Sequence, residues 1–141
     1  MTGRTPAELE ERVRAYWRRV WSDGDVDHAT EFYAPTFRQN GEEVDAAEFA
    51  EAARAWRAKF DGFEVVVDRV FSVENGVVTR VTYRGRHTGD FQRVPATGNE
   101  IAVSGIDVFL FENDRCVEHL HEADHYTMFL QLGAPPSPAA K

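Results

Sequence analysis

The residues on either side of Asp61-Gly62 differ in texture, and this division constrains the fold more than any other feature of the sequence. From Phe63 onward the chain is rich in β-branched residues, with apolar positions recurring at the period of a half-buried strand. Phe63–Val73 and Val77–His87 read as one hairpin around the turn signal Asn75-Gly76. In the second strand Val81 and Tyr83 alternate with Arg80, Thr82, Arg84 and Arg86, which predicts one buried and one wet face. Thr88 to Gly98, punctuated by Pro95 and Gly98, is a connecting excursion before a strand from about Ile101. Ser104–Phe111 then pairs with the last strand and the turn out of it, Val117–Tyr126, through Glu112–Arg115. Asp124 to Leu132 reads as a final half-strand or helical turn.

Before the boundary the period is helical. Thr5-Pro6-Ala7-Glu8 is a capping box with proline at the first helical position. Leu9, Val13, Tyr16, Trp17, Val20 and Trp21 continue it as an apolar stripe. Asp23-Gly24-Asp25 stops this helix and opens a short second one carrying Ala29, Phe32 and Tyr33, which Ala34-Pro35 ends. Phe37–Gly41 is a short extended piece. Asp45 caps a third helix running through Lys59, with Phe49, Ala52, Ala53, Trp56 and Phe60 inward. Helices segregated from strands predict an α+β fold. A curved antiparallel sheet wrapped over three helices encloses a cone-shaped apolar interior, a natural small-molecule pocket. Residues 1–132 are expected to form one domain and 133–141, with three prolines, a disordered tail.

Charge and cysteine content narrow the function classes. A net charge of −8 without a basic block argues against nucleic acid. No apolar run reaches membrane-spanning length, and Met1-Thr2-Gly3-Arg4 lacks a signal peptide's apolar core, so a cytoplasmic location is expected. One cysteine, Cys116, excludes an intrachain disulfide and a thiolate metal cluster.

The chemistry-bearing residues fall on the last two strands. Strand parity puts Gly105, Asp107, Phe109 and Phe111 on one face, and His119 and His121 together with Leu120 opposite. Asp107 beside His121 is either a buried structural ion pair or an acid/base pair; a carboxylate raises the imidazole's pKa and fixes its tautomer. His119 is expected to support the strand end or to line a pocket, and His87 to tie down its loop or to rim the pocket. His28 is expected to have no role. His119-x-His121 with Asp107, Asp124 or His125 offers ligand atoms, but without a second long-spaced pair no metal site is expected. By parity Cys116 points away from the Asp107 face unless a bulge intervenes.

Gly85-Arg86-His87-Thr88-Gly89-Asp90-Phe91 followed by Val94-Pro95-Ala96-Thr97-Gly98 resembles the Gly-x-His-x-Gly and x-Pro-x-Thr-Gly pattern of the SnoaL-like polyketide cyclases, in the nuclear-transport-factor-2-like superfamily. Glu118-His119, Asp124 and Gln131-Leu132-Gly133 are similar to the family's ending. Trp21-Ser22-Asp23-Gly24 is similar to its first turn, and Phe49-Ala50 with Arg57-Ala58 and Phe60 to its third helix. The resemblance covers almost the whole chain and implies the cone-shaped fold. In the cyclases that close the fourth ring of anthracyclines, the position matching His121 is the acid/base aspartate, and that matching Asp107 is a histidine. The two residue types are exchanged here, and Gly105 stands where those cyclases have a glutamine.

The resemblance implies a cyclase of polyketide or related secondary metabolism that closes a ring by general acid/base catalysis, with no cofactor. A dehydratase, isomerase or epoxide-opening hydrolase, or a non-catalytic binding or assembly module, are the alternatives in this superfamily. His121 and Asp107 are the expected catalytic pair. Tyr33, Gln39, Trp56, Phe60, His87, Phe109 and His119 are the expected substrate contacts, with Tyr33 and the Thr88–Gly98 loop capping the cavity. The partners implied are a polyketide-like small molecule and a second copy of the chain. The sheet's other face, with Ile106, Val108, Leu110 and Leu120, is too apolar to leave in water.

Overall fold

The computed structural model describes residues 4–134, so residues 135–141 of the expected tail lie outside the described residues. Helix α1 (Pro6–Tyr16) starts at the capping box: Thr5 accepts from the Glu8 amide and Glu8 from the Thr5 amide. The expected stripe continues past α1, but as a π-turn over Trp17–Ser22. A 3₁₀ turn (Val26–His28) leads to the short α2 (Ala29–Phe32). Strand β1 (Tyr33–Gln39) and β2 (Glu42–Asp45) precede α3 (Ala46–Arg57). Long strands follow as β3 (Phe60–Val73), β4 (Gly76–His87), β5 (Glu100–Glu112) and β6 (Arg115–Ala123), and α4 (His125–Gln131) closes the described chain.

The sheet has six strands in the order β2-β1-β6-β5-β4-β3. It is mixed, not wholly antiparallel, because β1 runs parallel to β6. The curved, unclosed sheet wraps the helices in an α+β fold. Its core is dominated by aromatic rings, which bury large areas and meet edge-to-face. Tyr16, Trp17, Phe32, Tyr33, Phe37 and Phe109 are all buried, with Tyr33 stacked on Phe37 at 3.8 Å between centroids.

Several sequence expectations are corrected. Tyr33 begins a strand, not a helical turn: it is in register with Cys116 of β6, and its carbonyl accepts from the Arg115 guanidinium at 3.1 Å. The third helix ends at Arg57, so Phe60 belongs to β3; Ala52 is exposed, and Ala46, Ala50 and Ala53 are the buried alanines. The β3–β4 turn is Glu74-Asn75, with Asn75 at φ 59° and Gly76 already paired to Val73. Cys116 faces inward beside Phe111, because a bulge between Leu110 and Phe111 shifts the register. Burial pushes its thiol pKa up to about 12, which leaves it protonated.

Two side chains tie the helices in place, one to the π-turn and one to the sheet. Arg57 donates from Nε to the Trp21 carbonyl at 2.7 Å and from a terminal nitrogen to Ser22 at 3.2 Å, satisfying the end of the π-turn. That guanidinium lies where a Cβ at Gly24 would be, 2.5 Å away, and Gly24 also takes φ +82°. At the other end Gln131 brackets Ala102 of β5, accepting from its amide at 2.8 Å and donating to its carbonyl at 3.0 Å. Among the described residues no helix is long and apolar enough to cross a membrane.

Candidate active site

The β5–β6 register sets Asp107 directly opposite His121 and Phe109 opposite His119, all on the concave face. Asp107 is fully buried and receives both imidazoles on one oxygen. His119 Nε2 lies 2.6 Å and His121 Nδ1 2.8 Å from Oδ2. His119 is 3 % exposed and His121 30 %, so only the second ring reaches open space. Among the described residues Asp107 Oδ1 has no partner.

Behind His119 the hydrogen bonding continues into the core. The Tyr33 hydroxyl lies 2.7 Å from His119 Nδ1 and 2.8 Å from the Tyr16 hydroxyl, which accepts from the Trp21 indole at 3.0 Å. The π-turn matters here. It is the wider winding that brings residues 16 and 21, five apart, onto one side of the helix.

The three titrating groups are driven apart. Burial alone would push Asp107 up, but the hydrogen bonds and charges of His119 and His121 carry it below the usual carboxylate range. Burial lowers His119, and Asp107 only partly restores it, so that ring stays neutral. Burial also opposes charge on His121, yet there the Asp107 bond and its charge win and raise the imidazole. With a carboxylate on Nδ1–H, neutral His121 presents the lone pair of Nε2 as its free nitrogen.

A cavity of about 190 Å³ opens over this pair. Five expected site residues line it: His121, Asp107, His119, Gln39 and Trp56. Four do not. Tyr33 and Phe109 are buried beneath the floor and act through packing and the His119 bond. Phe60 packs on Trp56 from behind. His87 is turned into its own loop, where Nδ1 accepts from the Thr97 amide at 3.2 Å and meets the Thr97 hydroxyl at 3.0 Å. The Thr88–Gly98 loop is therefore pinned at His87, and no residue of it lines the cavity.

The lining also includes Tyr16, Trp17, Trp21, Phe49, Tyr83 and His125, none of which is among the expected substrate contacts. The helical stripe could have flagged the first three, since an aromatic stripe over a concave sheet faces its hollow. His125 follows the Asp124 cap of α4; burial, then the charge of His121, lowers its pKa.

Asp107, His119 and His121 offer three ligand atoms within 4.8 Å of one another. Both imidazoles, however, converge on a single carboxylate oxygen at hydrogen-bond distance, so the cluster is held by shared protons. A metal would have to displace those protons. Held this way, the site can remove a proton at His121 Nε2 and return it within a chamber lined mainly by aromatic and aliphatic side chains.

The chain is similar to known proteins along most of its length. The sequence profile of the SnoaL-like polyketide cyclases matches residues 11–132. No curated protein matches the chain by sequence. Among solved structures, TsrD from Streptomyces laurentii is 27 % identical, with a TM-score of 0.78 over 91 % of this chain and 94 % of its own. A SnoaL-like polyketide cyclase from Agrobacterium tumefaciens shares the fold at 15 % identity, with a TM-score of 0.78 over 94 % of this chain and 100 % of its own. An LEH-like epoxide hydrolase from M. tuberculosis shares it at 18 % identity, with a TM-score of 0.68 over 90 % of each chain.

Proposed function

This chain belongs to the SnoaL-like polyketide cyclase family, and from that premise we propose that it is a cofactor-independent cyclase acting on a polyketide-like small molecule. The observation that carries the reading is His121, whose Nδ1 is anchored 2.8 Å from buried Asp107 while the ring faces an aromatic cavity. In this mechanism His121 Nε2 takes a proton from a carbon next to a carbonyl or from a hydroxyl. Asp107 stays ionised and stabilises the imidazolium that forms. The same imidazole returns the proton once the ring bond has closed. Gln39, on the cavity wall, orients a substrate oxygen. Such proton transfer contributes ~10²–10⁴-fold, and for a carbon acid the substrate's own carbonyl takes up the electron pair.

The cavity also supports catalysis over a purely structural module, because a filled cone would leave no room for a ligand beside His121. Residues 1–132 act as one domain in this reading. The outer sheet face, with Ile106 at 52 % and Leu120 at 40 % exposure, is covered by a second copy of the chain. Turnover of candidate polyketide substrates by the wild type and by His121→Gln tests the assignment. Equal rates would reject it.

A further inference from the structure

Two buried polar atoms at the cavity floor lack partners among the described residues: Asp107 Oδ1 and the Tyr83 hydroxyl. They belong to adjacent strands. On β4 Thr79 is the cross-strand partner of Asp107, Val81 of Gly105 and Tyr83 of Val103, so all point into the concave side. Thr79 is occupied by the Trp17 indole, which donates to it at 3.1 Å. Tyr83 lies across Gly105: a Cβ there would meet its Cε2 at 2.8 Å and its hydroxyl at 3.1 Å. Its ring stands edge-on to His121, with centroids 6.3 Å apart. The glycine thus gives Tyr83 the space beside Asp107 that any other side chain would fill.

We propose that Tyr83 is a positioning residue whose hydroxyl closes onto Asp107 Oδ1, completing a carboxylate that holds His119 and His121 through its other oxygen. An unpartnered donor and an unpartnered acceptor, both buried, are each costly, so a movement that pairs them is favoured. Burial first, then the charge of Asp107, keep the Tyr83 phenol protonated and therefore a donor. The consequence is a tuning of the base. A donor on Oδ1 draws negative charge away from Oδ2 and tempers the pull of Asp107 on the His121 proton.

This role takes His121 as the reacting base, but its test uses the free protein and no substrate. Histidine-selective nitrogen–proton spectra of the full chain, from about pH 5 to about pH 9, give the His121 midpoint. Loss of one resonance in His121→Gln assigns it among the five histidines. Tyr83→Phe keeps the ring and removes the donor, so the His121 midpoint should move upward. Gly105→Ala keeps the hydroxyl but pushes the ring aside, and should move it the same way. Tyr126→Phe, on the exposed α4 surface, should leave it unchanged. A midpoint that stays put or falls in Tyr83→Phe overturns the proposal. Because the readout is the imidazole itself, that result would leave the catalytic assignment of His121 standing, and an inactive role for His121 would leave this tuning measurable.

Discussion

His121 and Asp107 face each other across one rung of the β5–β6 ladder, 2.8 Å apart, with the carboxylate fully buried and the imidazole partly open. The asymmetry supports the proposed division of work between them. A buried carboxylate with two N–H donors on one oxygen is a fixed anion, whereas an imidazole with one nitrogen held and the other free is a proton carrier.

His121→Gln should therefore lower turnover by about 10²-fold or more while leaving substrate affinity nearly unchanged, since the lost interaction is made in the transition state. Steady-state kinetics separate the two. A raised KM at unchanged kcat would instead make His121 a binding group.

The pH profile carries a sign. His121 must be neutral to accept a proton, and its folded pKa is raised above ~6.5, so the rate should fall as pH drops through a midpoint above that value. Asp107→Asn removes the charge that raises it. Its midpoint should move to lower pH, with a lower plateau rate. An unshifted midpoint would detach Asp107 from the chemistry.

Much of the site's framework was legible because strand parity is a rigid rule. Gly105, Asp107, Phe109, His119 and His121 share a face in the sequence and in the fold. The exceptions are places where local geometry departs from the ideal period. A bulge turned Cys116 inward, and a π-turn joined Trp21 to Tyr16. Tyr33 read as helical because its neighbours Ala29 and Phe32 are, yet it became the group that orients His119. The motif histidine His87, together with Asp124 and Gln131, does structural work: a loop pin, a helix cap and a strand bracket. Motif spacing marked the fold; only side-chain geometry separated its scaffold from its chemistry.

The proposed dimer would use the convex side of the same strands, where Ile106 of β5 and Leu120 of β6 stand exposed at diagonal positions. Sedimentation velocity at micromolar concentration should show a species of twice the 16.0 kDa chain mass. Ile106→Asp should convert it to monomer without loss of helical or strand signal. A wild type that sediments as a monomer would refute the dimer.

Tyr33→Phe probes the support behind the site. The phenylalanine keeps the stack on Phe37, so packing is conserved, but His119 Nδ1 and Tyr16 each lose a partner in a fully buried setting. Leaving such groups unpaired costs roughly 1–3 kcal/mol, which should lower the denaturant midpoint at an unchanged slope. The loss depends on pH. His119 has its folded pKa lowered, so its contribution is complete above ~6.5 and is lost as pH falls through the folded value. Neutral His119 accepts from the Tyr33 hydroxyl on Nδ1, whereas the protonated ring donates there to the same oxygen, so the hydroxyl serves both states. The second bond is charge-assisted, so the gap between wild type and variant should be present at neutral pH and widen toward acid. No gap at any pH would show that Tyr33 stabilises the fold through its ring alone.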